Sequence, residues 1–181
     1  MTHTLLLIDI QNDYFPGGTM ALVGMEQAAH QAQALLAHAR ARGWAIVHVQ
    51  HLAARPGATF FLPGTPGAEH HPSVAPLAGE TVIAKNFPNA FRASGLAAAL
   101  QPADVTQLVI VGAMSHMCID ATTRVAFELG YQCTVLADAC ATRDLSFNGE
   151  TLPAAQVHAA FMAALAAPFA RVIPTATLLA E

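Results

Sequence analysis

Short apolar runs recur along the chain and are separated by segments with helical spacing. Five of the runs are apolar on both faces, as is typical of strands buried between two layers of helices. They span residues 5–10, 44–49, 81–85, 108–114 and 133–139, and a shorter run at 171–173 is predicted to form a last strand. The pattern therefore predicts a mostly parallel sheet of about six strands.

Three of the intervening segments are predicted to be helices. Residues 26–42 and 118–129 each carry an apolar side and end at a glycine, Gly43 and Gly130, which is a common helix stop. Pro153 begins a third helix at 154–167. Strands that alternate with helices favour right-handed crossovers, so the α/β chain is predicted to be one domain, 1–181, with a Rossmann-like three-layer α/β/α sandwich.

One long segment, residues 52–79, is rich in proline and glycine and contains no clear element. Loops of this length in compact domains are usually functional. Aromatic side chains on predicted loops near the same edge of the sheet form either pocket walls or a small cluster beneath the loop; they are Phe15, Phe60, Phe61, Phe87 and Phe91.

Composition limits the partners of this domain. Hydrophobic residues make up 54% of the chain and charged residues only 11%, which predicts a homo-oligomer, a dimer or larger, that buries part of the surface. The net charge of −4 and the lack of a basic run argue against nucleic acid. No apolar run is long enough for a membrane helix, no cationic leader is present, and three cysteines without CxxC spacing favour a reduced, cytoplasmic location.

Polar residues with reactive side chains end three of the predicted strands. Ligands of open parallel sheets bind beyond the carboxyl ends of the strands, where Asp9, Lys85 and Cys118 are predicted to converge, with Asp138 at the end of the fifth strand. Asp9 or Lys85 alone is equally well interpreted as a structural charge. Together they explain each other, because a buried ion pair satisfies both groups.

Cys118 has two interpretations. Free cysteine is among the most buried residue types, so Cys118 is either a small core residue or a nucleophile. Its position at the start of a predicted helix would stabilise a thiolate, and the turn at 112–118 offers backbone N–H groups for an oxyanion.

Three blocks of the sequence resemble the signatures of the isochorismatase-like cysteine hydrolases: IDIQNDYF, KNFPNAF and GAMSHMCIDATTRVAFELGY. A fourth block resembles the strand and loop that follow in this family: VLADACATRD. The resemblance implies a six-stranded parallel sheet and a catalytic triad of Asp9, Lys85 and Cys118. It also implies a non-proline cis peptide at Ala113–Met114, with the backbone N–H groups of Met114 and Cys118 as the oxyanion hole.

The implied reaction is hydrolysis of an amide-type C–N bond in a small molecule through an acyl-enzyme on Cys118. Asp9 would act as the base and then as the acid, and Lys85 would hold Asp9. Family members that cleave isochorismate lack the cysteine, so Cys118 argues against that substrate. No cofactor is predicted.

Further residues are predicted to contact the substrate, with a structural alternative for several of them. Gln11 either positions Asp9 and the loop or lines the site, and His116 either lines the pocket or caps a helix. The complete predicted set comprises Gln11, Phe15, His51, Phe61, Phe87 and His116. Cys133 is predicted to lie in the core, and Asp138 and Arg143 are predicted to organise the loop after the fifth strand.

Two other functions stay open at the level of sequence. The resemblance includes metal-dependent nicotinamidases, in which an Asp-x-His follows the second strand; here Val49 and Gln50 precede His51, so that motif is absent and no metal is predicted, although His70 and His71 could join His51. A non-catalytic α/β ligand-binding module is the other possibility, although no glycine-rich phosphate loop follows the first strand.

Overall fold

The computed structural model describes residues 3–101 and 105–181. Its main sheet has six parallel strands in the order β3-β2-β1-β4-β5-β8, which confirms the predicted fold class. These strands are β1 His3–Ile8, β2 Ala45–His51, β3 Thr81–Lys85, β4 Gln107–Ala113, β5 Gln132–Ala141 and β8 Arg171–Ile173. An antiparallel hairpin of β6 Leu145–Phe147 and β7 Glu150–Leu152, which the sequence pattern did not predict, stands apart from it.

Helices cover both faces of the sheet. They are α1 Met25–Ala41, α2 Leu96–Leu100, α3 Asp120–Glu128, α4 Ala154–Leu165 and α5 Thr175–Leu179. Alternate residues of β1 point to opposite faces, so Leu5 and Leu7 pack in the core beneath α1, whereas Leu6 and Ile8 pack in the core beneath α2, α3 and α4. No helix in the described ranges is long and apolar enough to cross a bilayer.

The prediction that every strand is buried on both faces was wrong for β3. This strand lies at the edge of the sheet, and its residues Thr81, Val82 and Ala84 are exposed. An edge strand has a neighbour on one side only, so an apolar sequence does not by itself bury it. The predicted homo-oligomer, which would bury such surface, stays a prediction.

The prediction that Asp138 ends the fifth strand was also wrong. Strand β5 continues to Ala141 through an irregularity in its pairing with β4. Asp138 therefore lies within the strand, where its Oδ1 accepts hydrogen bonds from the backbone N–H and the hydroxyl of Thr175, both at 2.7 Å. Its carboxylate holds the start of α5 and does not belong to the wall of the cavity beside the candidate site.

Gly112 allows β4 to approach β1 closely just before the candidate site. Its φ is +125°, and a Cβ built there would lie 1.9 Å from the Ile8 carbonyl oxygen. Only glycine fits this contact without moving one of the two central strands. The strand ends that carry Asp9 and the Cys118 turn are thereby held side by side.

Candidate active site

Asp9, Lys85 and Cys118 meet at the carboxyl edge of the sheet. Asp9 directly follows β1, Lys85 is the last residue of β3, and Cys118 lies in the turn Ser115–Ile119 between β4 and α3. The ammonium nitrogen of Lys85 lies 2.7 Å from Asp9 Oδ2 and 3.2 Å from the Cys118 sulfur. The three segments are distant in sequence, and the parallel sheet topology brings them together.

Lys85 makes a third contact, at 2.9 Å, with Nδ1 of His51 at the end of β2. The ammonium group therefore has one acceptor for each of its three protons, although the residue is only 1% exposed. Burial lowers the pKa of Lys85, but the negative charge of Asp9 and the hydrogen bonds that the ammonium group donates to Asp9 and Cys118 outweigh this effect and raise the pKa above its ordinary value. Lys85 stays charged in the resting site.

Asp9 is fully buried and has a free acceptor atom. Its backbone adopts a left-handed φ of +55°, a region in which aspartate is tolerated better than most residues. Oδ2 pairs with Lys85, whereas Oδ1 has no hydrogen-bond partner among the described residues. A carboxylate that has an unpartnered oxygen and lies within 4.8 Å of the Cys118 sulfur is well placed to accept a proton.

Cys118 is 4% exposed, and the expectation that its position stabilises a thiolate was wrong. Burial raises the pKa of the thiol above its usual range; the negative charge of Asp9 raises it further, and Lys85 only partly opposes these effects. The resting site therefore holds a neutral thiol next to an ionised Asp9–Lys85 pair.

The turn that carries Cys118 begins directly after β4. The peptide bond between Ala113 and Met114 is cis. The backbone N–H groups of Met117 and Ile119 both donate to the Met114 carbonyl oxygen, at 3.0 and 3.3 Å, and close the turn.

Thr122, on α3, accepts a hydrogen bond from the backbone N–H of Ala90, which ties this helix to the loop after Lys85.

A cavity of about 380 Å³ is lined by neighbours of the three residues, although none of the three belongs to its wall. Its wall includes His51, Met114 and Met117, and a ring nitrogen of His51 lies within 4.8 Å of the Cys118 sulfur, which places the thiol next to the cavity. The other lining residues are Met20, Ala53, Ala54, Arg55, Ala58, Phe60, Asn86, Pro88 and Arg143. Of the predicted substrate-contacting set, only His51 belongs to this wall.

Arg55 and Arg143 are the charged residues of the wall, and neither was predicted to line it. Both are exposed, and neither forms an ion pair within residues 3–101 and 105–181. A signal was available for Arg143, which follows the end of β5 by two residues and so lies at the catalytic edge. The position of Arg55 on an irregular loop gave no such signal.

Gln11 and Phe15 do not line this cavity, but Gln11 has the loop-positioning role that was the alternative prediction for it. The Gln11 amide is fully buried; it donates to the carbonyl oxygens of His51 and Ala68 and accepts from the His51 backbone N–H. Phe15 is buried as well and stacks on His71, with ring centroids 3.6 Å apart. Both side chains fix the long loop against the sheet.

Phe61, Phe87 and His116 also lie outside the wall. Phe61 is fully buried against Phe60, and Phe60 lines the cavity instead of Phe61. Phe87 packs beneath the Arg92 guanidinium at 3.8 Å, and His116 Nδ1 forms a 2.6 Å hydrogen bond with the Thr142 hydroxyl. Loop positions alone did not reveal which aromatic faces turn inward.

The residues present do not fit a metal centre of the predicted alternative kind. Asp9, His51 and Cys118 have ligand atoms within 4.8 Å of one another, but the Lys85 ammonium contacts all three and already supplies the positive charge among them. His71 stacks on Phe15 and bonds to Ser73, so the expected grouping of His51 with His70 and His71 is not formed.

Stability is expected to decrease in mild acid because two neighbouring histidines are buried in their neutral forms. His48 and His70 pack edge to face, with ring centroids 5.6 Å apart, and burial lowers both pKa values, that of His70 to about 4. A lowered pKa means that the unfolded chain binds more protons below its ordinary value of 6.5. The His70 contribution is therefore complete above pH 6.5 and is lost as the pH falls toward 4.

The expected loss from His70, discounted for partial exposure, is about 1–3 kcal/mol. Urea unfolding at pH 7, 6, 5 and 4.5 measures it, with His70→Phe as the matched variant that keeps a ring but cannot titrate. The slope of unfolding free energy against pH should be shallower in His70→Phe. Equal slopes in the two proteins would show that His70 does not contribute.

The fold and the site define a three-layer α/β/α protein with an aspartate, a lysine and a cysteine at the carboxyl edge of its sheet, and the comparisons give its family. The model of the isochorismatase domain matches residues 3–177, and the chain belongs to the isochorismatase family, as its sequence motifs indicated. Members of this family are hydrolases, so the chain is an enzyme rather than a non-catalytic binding module.

Individual relatives agree with this assignment. The isochorismatase family protein YddQ of Bacillus subtilis strain 168 is 52% identical over 179 residues, which cover 99% of both chains. Maleamate amidohydrolase of Pseudomonas putida is 32% identical over 77% of this chain and 72% of its own length. A solved isochorismatase-family protein from Oleispira antarctica is 54% identical, with a TM-score of 0.96 over 99% of this chain and 97% of that one.

Proposed function

We propose that this enzyme is a cysteine amidohydrolase that cleaves the C–N bond of a small amide through an acyl-enzyme on Cys118. The observation that carries the proposal is the Lys85 ammonium, which contacts Asp9 Oδ2 and the Cys118 sulfur at the same time. A thiol, a free carboxylate oxygen and a fixed cation are the groups that nucleophilic acyl transfer requires.

In the first step, Asp9 accepts the thiol proton through its free Oδ1 as the sulfur attacks the carbonyl carbon. Because burial raises the pKa of Cys118, proton transfer accompanies the attack and does not precede it. A C–S bond forms, and the carbonyl π electrons move to the oxygen. Lys85 keeps Asp9 in place and offsets the negative charge that develops on the sulfur.

The backbone N–H groups of Met114 and Cys118 are proposed to hold the resulting oxyanion, each contributing about 3–4 kcal/mol to transition-state stabilisation. The tetrahedral intermediate collapses by breaking the C–N bond, and protonated Asp9 gives its proton to the leaving nitrogen. Water then attacks the thioester while Asp9 again acts as the base. The second tetrahedral intermediate collapses by breaking the C–S bond, Asp9 returns its proton to the sulfur, and the carboxylic acid leaves the restored thiol.

The charges of the cavity favour a substrate that carries a carboxylate. Arg55 and Arg143 line the cavity, and no aspartate or glutamate belongs to its wall. Fixed cations beside a mostly apolar wall raise the affinity for anions and steer them toward the site. The name of the relative maleamate amidohydrolase describes a substrate of this class. We therefore infer a small amido acid as the substrate.

The experiment tests catalysis and substrate class together. Maleamate and succinamate serve as carboxylate-bearing amides, and crotonamide and butyramide serve as neutral amides of similar size. Ammonia release is measured by a coupled assay, and mass spectrometry of the rapidly quenched enzyme, both intact and after digestion to peptides, follows the adduct. We expect turnover of the amido acids at least about tenfold above the neutral amides, with a transient adduct of substrate mass minus ammonia on the Cys118 peptide.

Two outcomes would contradict parts of the proposal. Turnover without an adduct at Cys118 under any quench condition would argue against the acyl-enzyme. Faster hydrolysis of the neutral amides would leave the mechanism standing and overturn the inferred substrate class.

A further inference from the structure

The ring of His51 is held in one protonation state at the wall of the cavity. We propose that His51 presents a fixed Nε2–H donor to the substrate and so selects amides whose acyl part carries a hydrogen-bond acceptor, such as a carboxylate or carbonyl oxygen, beside the scissile bond. The inference rests on the proposed amidohydrolase function and assigns the specificity of the same site.

The tautomer follows from the partner of Nδ1. Lys85 Nζ lies 2.9 Å from His51 Nδ1, and an ammonium group can only donate hydrogen bonds. Nδ1 must therefore accept, which places the single ring proton of neutral imidazole on Nε2. The neighbouring ammonium charge also disfavours a second proton on the ring.

The position of the ring is fixed by the backbone of its own residue. The His51 N–H donates to Gln11 Oε1 at 2.7 Å, and Gln11 Nε2 donates to the His51 carbonyl oxygen at 2.9 Å. Gln11 is itself buried and anchored to Ala68 on the long loop. The ring thus approaches the cavity from a rigid strand end rather than from a flexible loop.

Nε2 is the ring nitrogen that remains available to a substrate, because Nδ1 is occupied by Lys85. His51 belongs to the cavity wall, and none of the residues in 3–101 and 105–181 accepts a hydrogen bond from its Nε2. A substrate with an oxygen acceptor there satisfies this N–H, whereas one with an apolar or donor group leaves it unpaired. Sites built to hydrogen-bond a substrate group discriminate strongly against analogues that lack it.

Two substitutions separate the two nitrogens of the ring. The side-chain oxygen of asparagine lies close to the position of Nδ1 and can accept from Lys85, so His51→Asn keeps the Lys85 contact and removes the donor. The side-chain amide of glutamine reaches the position of Nε2, so His51→Gln keeps a donor toward the cavity and loses the acceptor for Lys85. The probes are succinamate and butyramide, which differ by a carboxylate in place of a methyl group.

With succinamate, His51→Asn is expected to raise KM about tenfold or more, and with butyramide its KM should stay within about threefold of the wild-type value. The rate of Cys118 alkylation by iodoacetamide and its pH profile should stay at wild-type values in His51→Asn. In His51→Gln the preference for succinamate over butyramide should be largely retained, while the alkylation profile shifts.

A direct measurement tests the tautomer without any substrate. Nitrogen-15 NMR of histidine-labelled enzyme, with the His51 signals assigned by their loss in His51→Asn, should show Nε2 protonated and Nδ1 unprotonated at pH 7.5. An Nδ1-protonated ring, or equal losses of both probes in His51→Asn, would overturn the inference. If wild-type enzyme hydrolyses no amide while the ring is Nε2-protonated, the proposed function fails and the tautomer assignment stands.

Discussion

Replacing Cys118 with alanine is expected to abolish amide hydrolysis, with a loss of at least about 10⁴-fold in kcat, because no other group near Asp9 and Lys85 can form the acyl intermediate. The fold should be retained, since the substitution removes one sulfur atom at the edge of the core beneath α3. The measurement is kcat on the best amide of the panel, with circular dichroism and thermal unfolding as checks on folding.

Cys133→Ala is the matched control for this substitution. Cys133 is also a buried thiol whose pKa burial raises, to about 12, but among the described residues its sulfur hydrogen-bonds only to the backbone carbonyl oxygens of Thr123 and Tyr131. The kcat of the Cys133→Ala variant should stay within about threefold of the wild-type value, because Cys133 contacts no group of the proposed mechanism. Comparable kcat values for Cys118→Ala and wild type would end the proposal that this sulfur is the nucleophile.

The buried pair of Asp9 and Lys85 gives the second large effect, on stability as well as on activity. Both side chains are fully excluded from solvent and lie 2.7 Å apart. Lys85→Met leaves a buried carboxylate without its cation and is expected to lower the unfolding free energy by about 3–5 kcal/mol at pH 7. Asp9→Asn should have an effect of the same sign, because it leaves the ammonium group without its anion.

The double variant Asp9→Asn with Lys85→Met removes both charges and is expected to recover most of the lost stability while staying inactive. Urea unfolding of the four proteins gives the coupling energy, and ammonia release gives the activity. The partly exposed pair of Arg124 and Asp120 on α3 is the control: Arg124→Met should cost less than about 1 kcal/mol. If the double variant is no more stable than either single variant, the loss of stability does not come from leaving one member of the Asp9–Lys85 ion pair without the other.

The fold was predictable because its signals are local. Alternating apolar runs and helical segments defined the parallel sheet, and glycines at 43 and 130 marked the helix ends. The extent of β5 was not predictable: its irregular pairing with β4 carries the strand to Ala141 and turns Asp138 toward α5. The exposure of β3 follows from its position at the edge of the sheet, and the apolar pattern within a strand does not reveal the order of the strands.

The three reactive residues were predictable for a related reason. In an open parallel sheet, residues at the carboxyl ends of neighbouring strands share one edge, so Asp9, Lys85 and Cys118 could be placed together from their positions alone. The pocket wall could not be placed in this way. It is formed largely by loops whose side-chain directions depend on backbone angles, which is why Phe60 lines the cavity and Phe61, with φ at +54°, is buried.

The sequence by itself determined the α/β class, the family and the chemical types of the reactive groups, because these follow from periodicity and from motifs at strand ends. Only the tertiary structure decided the electrostatic state of the site. Burial keeps the Cys118 thiol protonated, and the Lys85 ammonium joins Asp9, His51 and Cys118. Desolvation and contacts between distant segments set these properties, and neither is encoded within any single stretch of the chain.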